Sequence, residues 1–349
     1  MNIEKQLQKD GIIVTEKVPT DIVLNITNSI SQKIVSTFPS FNLNTNELFA
    51  KLFSLNMYKA RMPEGMQEAS YCYKNSSIYF NFNIANEDLE EFAIHECIHF
   101  LQEQKNENNN IKRMGLANYS KHKVVGTGIN EACVQYISSK IIGIEPDFEK
   151  YYNINLYTPS PSYYPVECTL LNELVFFLGE EKLFQSTYFS TDEFKNEIIK
   201  YTSENTYNYI ITSFDKILKL EEKIIKLNNK NSEKTQIKVE KCRATIKKTF
   251  FDIQNLIIKK FFDYEFIQIN NLELLEKFRR KITKFDKYIG HSENYTFFND
   301  YLTEMMNKLE HKSNILENGG TETAPVVKIF SISEIFNKIK QLLNKKAET

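Results

Sequence analysis

The chain has no tryptophan, five histidines and five cysteines in 349 residues, and no apolar run long enough to cross a bilayer. Each shortage narrows the reading. Without an unbroken apolar stretch of about 18 residues, no integral membrane segment is expected. The start, Met1-Asn2-Ile3-Glu4-Lys5-Gln6, lacks the basic-then-apolar pattern of a secretory signal. The cysteines (72, 97, 133, 168 and 242) are odd in number and form no CxxC pair, so a reduced, cytoplasmic protein is expected rather than a disulfide scaffold. There is no repeat of fixed period. Net charge is only −1, and nothing in it calls for a nucleic-acid partner. The charge is mildly negative over residues 1–190 and mildly positive over 191–349, where more of the basic residues lie, as solvated helix faces would give. The absent tryptophan, beside abundant Asn, Ile, Lys, Phe and Tyr, reads as a coding bias. What remains, 42% hydrophobic and 26% charged residues, describes a soluble globular protein of one or two domains.

With histidine so scarce, its placement carries information. Two of the five fall in Ile94-His95-Glu96-Cys97-Ile98-His99-Phe100. On a helix, positions i and i+4 share a face, so both imidazoles can reach one metal ion, with Glu96 beside them as a general base. Random order gives this pattern in roughly one such chain in two hundred, so context has to decide. The context favours a buried helix. Asn86 is a candidate N-cap, Glu87 and Asp88 suit the first turn, and Leu89, Phe92, Ala93, Cys97, Phe100 and Leu101 recur at helical spacing. Cys97 and Cys133 are expected to be small buried hydrophobes.

Around this helix the periodicity predicts an α+β, predominantly helical chain in three parts. Residues 1–190 form a catalytic unit with a small mixed sheet, 191–311 an all-α accessory unit, and 312–349 a linker with a terminal amphipathic helix. In the first part, residues 1–19 read as an irregular arm with a strand near 11–15. Helices are expected at 21–38 and 44–55, then a strand at 57–62 and a hairpin whose second arm spans 78–84. Residues 103–123 read as a polar surface loop, 129–142 as a helix, and 143–165 as a loop rich in Pro and Tyr. Helices follow at 166–178 and 191–214. A helical hairpin turns at Asn228-Asn229-Lys230-Asn231-Ser232, a further helix lies near 275–285, and the terminal helix opens at Ser331-Ile332-Ser333-Glu334.

A catalytic zinc keeps three protein ligands and one open position. His122, Glu131 and Glu167 are the candidates for the third. Glu131 is favoured because it interrupts an otherwise apolar helix, where a carboxylate needs a partner. His95-Glu96-x-x-His99 followed by Gly128-Ile129-Asn130-Glu131-Ala132 resembles the gluzincins, the thermolysin-like clan of zinc metallopeptidases. The resemblance covers about residues 56–142. It implies a zincin-like fold, one Zn2+ per chain held by His95, His99 and Glu131, Glu96 as catalytic base, and a peptide or protein substrate. It also makes the 78–84 strand the substrate-lining edge, through Tyr79, Asn81 and Asn83. Two departures stand out. The gap to Glu131 is longer than in the clan's type member, and Gln135 stands where an aspartate orients a ligand histidine. Orientation must then fall to Gln135, Asn130 or another group. The Gln102-Glu103-Gln104-Lys105 stretch excludes the metzincin pattern.

The oxyanion donor is sought among Tyr119, His122, Tyr157, Tyr163, Tyr164 and His291, with Tyr163 and Tyr164 first because their loop follows the ligand helix. Two alternatives remain: a binding or regulatory protein that keeps the fold without cleaving, and an effector protease with one protein target.

Overall fold

Rows of apolar side chains and a few capping residues set the elements that carry the motif. The computed structural model describes residues 3–9, 11–63, 68–108, 110–120, 123–228 and 232–318. The chain opens with α1 (Ile3–Lys9) and β1 (Ile13–Lys17), so the expected arm contains a helix before its strand. Helix α2 (Thr20–Thr37) buries Ile26, Ile30 and Ile34, the i+4 row predicted for it. Asn44 caps α3 (Thr45–Phe53), its side-chain oxygen accepting the backbone N–H groups of Asn46 and Glu47 at 2.9 and 3.2 Å.

Strands β2 (Asn56–Arg61), β3 (Ala69–Cys72) and β4 (Ser77–Asn81) join β1 in a mixed sheet of order β1-β2-β4-β3. β2 and β4 run parallel, and the other pairs antiparallel. This corrects the expected substrate edge. The 78–84 strand is internal and ends at Asn81, whose side-chain oxygen accepts the Asn83 N–H at 3.2 Å and turns the chain away. Tyr79 is 2% exposed, packed with Leu7, Ile12 and Ala60 on the second face of the sheet. A central strand covered on both faces offers no free backbone, and β3 takes the edge position.

The motif helix α4 (Leu89–Leu101) follows a tight turn at Asn86–Asp88, in which the Asp88 N–H reaches the Ala85 carbonyl. Asn86 lies inside that turn and does not cap α4; Asp88 holds the cap position without a side-chain bond. The expected polar loop at 103–123 is a second sheet, β5 (Glu103–Lys105), β6 (Ile111–Met114), β7 (Ala117–Tyr119) and β8 (Val124–Val125). Its Asn-rich stretch is the hairpin turn, where the Asn106 side chain accepts the N–H groups of Asn108 and Asn110, both at 3.0 Å. Helix α5 (Thr127–Ile142) comes next. The supposed 143–165 loop also contains a hairpin, β9 (Asp147–Tyr151) and β10 (Ile154–Thr158), turning at Tyr152 and Asn153 with φ of 50° and 59°.

Helices α6 (Pro165–Leu178), α7 (Glu180–Tyr188), α8 (Glu193–Tyr201) and α9 (Glu204–Asn228) follow. The single helix expected over 191–214 is thus two, broken where the Ser203 hydroxyl accepts the Thr206 N–H. α10 (Glu233–Ile267), capped by Ser232, packs along α9 as the predicted hairpin; the turn residues 229–231 lie outside the described segments. α11 (Leu272–Phe285) and α12 (Phe297–Asn318) complete the fold. Residues 312–318, expected as linker, continue α12, and the predicted terminal helix at 331–343 lies outside the described residues. The protein is α+β and predominantly helical, with small sheets. Buried apolar side chains form one cluster from Val18 to Leu309, running through the position 190/191. No helix among the described residues is long and apolar enough to cross a membrane.

Candidate metal centre

Two helices build the centre. On α4, His95 and His99 lie one turn apart with ring centroids 4.8 Å from each other. α5 packs across α4 and presents Glu131 from its second turn. The Nε2 atoms of His95 and His99 are 3.0 Å apart, and the Glu131 carboxylate oxygen Oε2 is 3.3 Å from the first and 3.4 Å from the second. Among the described residues these three form the one cluster of metal-ligating side chains. His122, a candidate for the same role, lies outside the described residues. Glu167 does not join the cluster. It is fully buried on α6 against Glu221 of α9.

The arrangement fits zinc on two counts. Ligand atoms about 2.0–2.2 Å from a tetrahedral ion are separated by about 3.3–3.6 Å, close to the spacing of this triad. The donor set, two imidazoles and one carboxylate, is that of a catalytic rather than a closed structural site. The tautomer is also set correctly. His95 Nδ1 lies 3.0 Å from the side-chain oxygen of Gln135, whose own amide donates to the Ser139 hydroxyl at 3.3 Å. With Nδ1–H donated to Gln135, the neutral ring keeps its Nε2 lone pair for the centre. His99 Nδ1 is buried without a hydrogen-bond partner, though Gln102 is near enough to favour the charged ring.

Charge in the triad is strongly coupled. Burial works against a cationic His99, but the adjacent Glu131 carboxylate outweighs it and the imidazole is pushed up to about 9. Burial likewise favours a neutral Glu131, yet His99 and the hydrogen bond from His95 hold its carboxyl well below the usual carboxylate range. Glu131 therefore keeps its negative charge beside the imidazoles, an electrostatic well for positive charge. A divalent cation would occupy the same potential well.

An open cleft with about 470 Å³ of empty volume lies over the centre. His95, Glu96, Gln135, the acids Glu68 and Glu91, and Tyr163 and Tyr164 are among the residues that line it. Glu96 is 6% exposed and stands next to the imidazole face, where a general base would be. Tyr164 has φ of 50°, an uncommon backbone for a bulky residue, and its ring stacks over His95 with centroids 6.4 Å apart. Tyr163 reaches Glu68, and burial with that neighbouring charge raises its hydroxyl pKa.

The remaining predicted residues sort by geometry. Asn130 makes its side-chain hydrogen bonds away from His95, His99 and Glu131. Its side-chain oxygen accepts the Leu116 N–H at 3.0 Å and its amide donates to Gln102 at 3.3 Å, tying the β6–β7 turn to the end of α4. Tyr119 faces the Glu131 charge from β7, and burial together with that charge pushes its hydroxyl up to about 12. Tyr157 packs with Phe148 and Tyr288, and His291 is exposed in a backbone bridge to Asn155, both away from the cleft lining. Cys97 and Cys133 are free, fully buried thiols whose ionisation burial suppresses.

One supporting residue has no sequence signal. Asp215, on α9, accepts the backbone N–H groups of Gly126 and Gly128 at 2.9 Å each and so caps the ligand helix from a distant part of the chain. Gly128 is what permits this approach, since a Cβ there would meet the Phe214 carbonyl oxygen at 2.4 Å. No family model, curated protein or solved structure matches the chain significantly.

Proposed function

We propose that the chain is a zinc-dependent peptidase that hydrolyses a peptide bond in the cleft over His95, His99 and Glu131. The observation that carries this reading is the convergence of the His95, His99 and Glu131 side-chain atoms within 3.0–3.4 Å of one another, with His95 lining an open cleft. Zinc in such a donor set supplies Lewis acidity, acidifying water and polarising a carbonyl group. Glu96, which lines the cleft with His95, takes the proton of the attacking water and passes it to the leaving amine in this reading. Gln135 fixes the His95 tautomer. The hydroxyl of Tyr164, whose ring stacks on His95 in the cleft lining, is the donor for oxyanion charge. The β3 edge, with Ala69 and the adjoining Glu68 in the cleft lining, is the natural place for a substrate backbone to add as a strand.

The test combines metal analysis with an unbiased cleavage profile. Purified protein should hold about one zinc per chain. It should cleave members of a random peptide library, and chelation should stop the cleavage. Folded protein that takes up no zinc ends the proposal. Zinc-loaded protein that cuts nothing turns it toward a binding role.

A further inference from the structure

The metal cleft does not end at its two tyrosines. Tyr163 and Tyr164 also line a second, larger cleft with about 1920 Å³ of empty volume, bounded by the β9–β10 turn, the 162–165 loop and the α9–α10 hairpin. The two clefts therefore meet at Tyr163 and Tyr164.

Uncommon backbone angles cluster along the second cleft. Tyr152, Asn153 and Tyr164 all have positive φ (50°, 59° and 50°), and all three line it. At Tyr152 and Asn153 the angles are those the two-residue β9–β10 turn requires, while Tyr164 holds its angle where the loop enters α6. One contact that holds the turn is visible: the Tyr152 hydroxyl is hydrogen-bonded to Glu221, a nearly buried carboxyl that faces Glu167. Neither oxygen of Glu167 meets a protein donor.

Charge along the joined clefts is uneven. At the metal end the lining carries Glu68 and Glu91. In the second cleft Arg243 is paired with Glu240 at 2.8 Å, and Glu221 shares its site with Glu167. That leaves Lys150 and Lys247. The Lys247 ammonium rests on the Asn153 carbonyl at 3.0 Å, and neither lysine pairs with a carboxylate among the described residues. A chain leaving the metal cleft past Tyr164 meets two uncompensated cations.

We infer that the second cleft is a subsite for an extended polypeptide, holding acidic side chains of the substrate on Lys150 and Lys247 at a distance from the reacting bond. This rests on the peptidase reading for the reaction, but the binding it predicts is separable from cleavage. Complementary charge of this kind selects among partners and steers their approach.

The experiment uses the full chain carrying Glu96→Gln, so that binding is read without turnover. Fluorescein-labelled peptides of about sixteen residues, about 50 Å when extended, carry a randomised centre and either Glu or Lys in both flanks. Fluorescence anisotropy should give on the order of tenfold tighter binding for the Glu-flanked set, weakened by salt. Adding Lys150→Glu and Lys247→Glu, both at the rim of the cleft, should reverse that preference. An unchanged preference in the charge-reversed protein, or none in the parent, overturns the subsite. The same peptides are offered to the unmodified zinc-loaded protein. Cleavage without the charge preference keeps the peptidase reading and removes the subsite. Charge-dependent binding without cleavage keeps the subsite and removes the peptidase reading.

Discussion

His95 Nδ1 and the side-chain oxygen of Gln135 lie 3.0 Å apart, with Gln135 one helical turn beyond Glu131. A single face of α5 thus supplies both Glu131 of the His/His/Glu cluster and the group that holds the His95 ring. An amide does this more weakly than a carboxylate, because it adds no charge to strengthen the imidazole as a donor. Gln135→Leu should keep the fold and lower zinc affinity by about 10–100-fold, read by competition against a fluorescent chelator. Gln135→Asp should recover part of the loss. Equal affinities across the three proteins would remove Gln135 from the centre.

Glu96 lines the cleft with His95 and lies outside the His95–His99–Glu131 cluster. Glu96→Gln preserves size and polarity but cannot take a proton. Zinc content should be unchanged, while kcat should fall by about 10²–10⁴-fold with little change in KM. A variant that loses its zinc would instead make Glu96 a structural support of the ligands.

Tyr163 and Tyr164 separate by their position against the imidazoles. Tyr163 is bound to Glu68, while Tyr164 stacks over His95. Tyr164→Phe keeps the ring and the unusual backbone, so a lost oxyanion contact should show in kcat alone, by about 10²–10³-fold. Tyr163→Phe should leave kcat within about threefold of the parent, since its contact is made before substrate arrives. The reverse ranking would assign the donor role to Tyr163.

The ligand triad was legible because helical spacing is local: His95 and His99 share a face by periodicity, and Glu131 interrupts an apolar helix. The edge strand was not. Alternation showed that Ile78 and Phe80 face a core, but whether Tyr79 meets solvent depends on α1 and β2, which local pattern does not reveal. The Asn-rich stretch 106–110 looked like a loop because its turn residues outnumber the short flanking strands. Asp215 was invisible for a different reason. An acid on a long amphipathic helix looks like any solvated residue until the fold brings it to the start of α5.

Glu167 and Glu221 give the pH dependence of stability a definite sign. Burial, followed by repulsion from Glu221, raises Glu167 well above the ordinary carboxyl range, and burial raises Glu221 to about 7. The folded state therefore keeps a proton that the unfolded chain gives up near its usual value of about 4.3. That contribution is complete below the unfolded pKa and is lost as pH rises through about 7. The slope is at most about 1.4 kcal/mol per pH unit per proton. Glu167→Gln removes one member of the pair, so its thermal midpoint should fall less between pH 5 and pH 8 than the parent's. Parallel curves would show that the pair does not titrate in this window.

Asp215 joins the α9 helix to the ligand helix, and its loss should be felt at both. Its carboxylate satisfies two backbone N–H groups at the start of α5, one turn before Glu131, and an acid also suits that end of the helix dipole. Asp215→Ala should cost about 1–2 kcal/mol of stability. Asp215→Asn, which keeps one acceptor, should cost less. Because Glu131 sits on the turn that frays, Asp215→Ala should also weaken zinc binding, and saturating zinc should restore part of the lost thermal midpoint through linkage. Gly128→Ala approaches the same joint from the other side. Its Cβ would lie 2.4 Å from the Phe214 carbonyl oxygen, a backbone atom that cannot rotate away. Moving α9 to relieve that contact pulls Asp215 off the two N–H groups, so this variant should lose at least as much stability as Asp215→Ala. Combining the two should cost less than the sum of the single effects, because both break one contact. Full additivity in thermal or denaturant unfolding would show that the α9 cap and the close approach at Gly128 act independently.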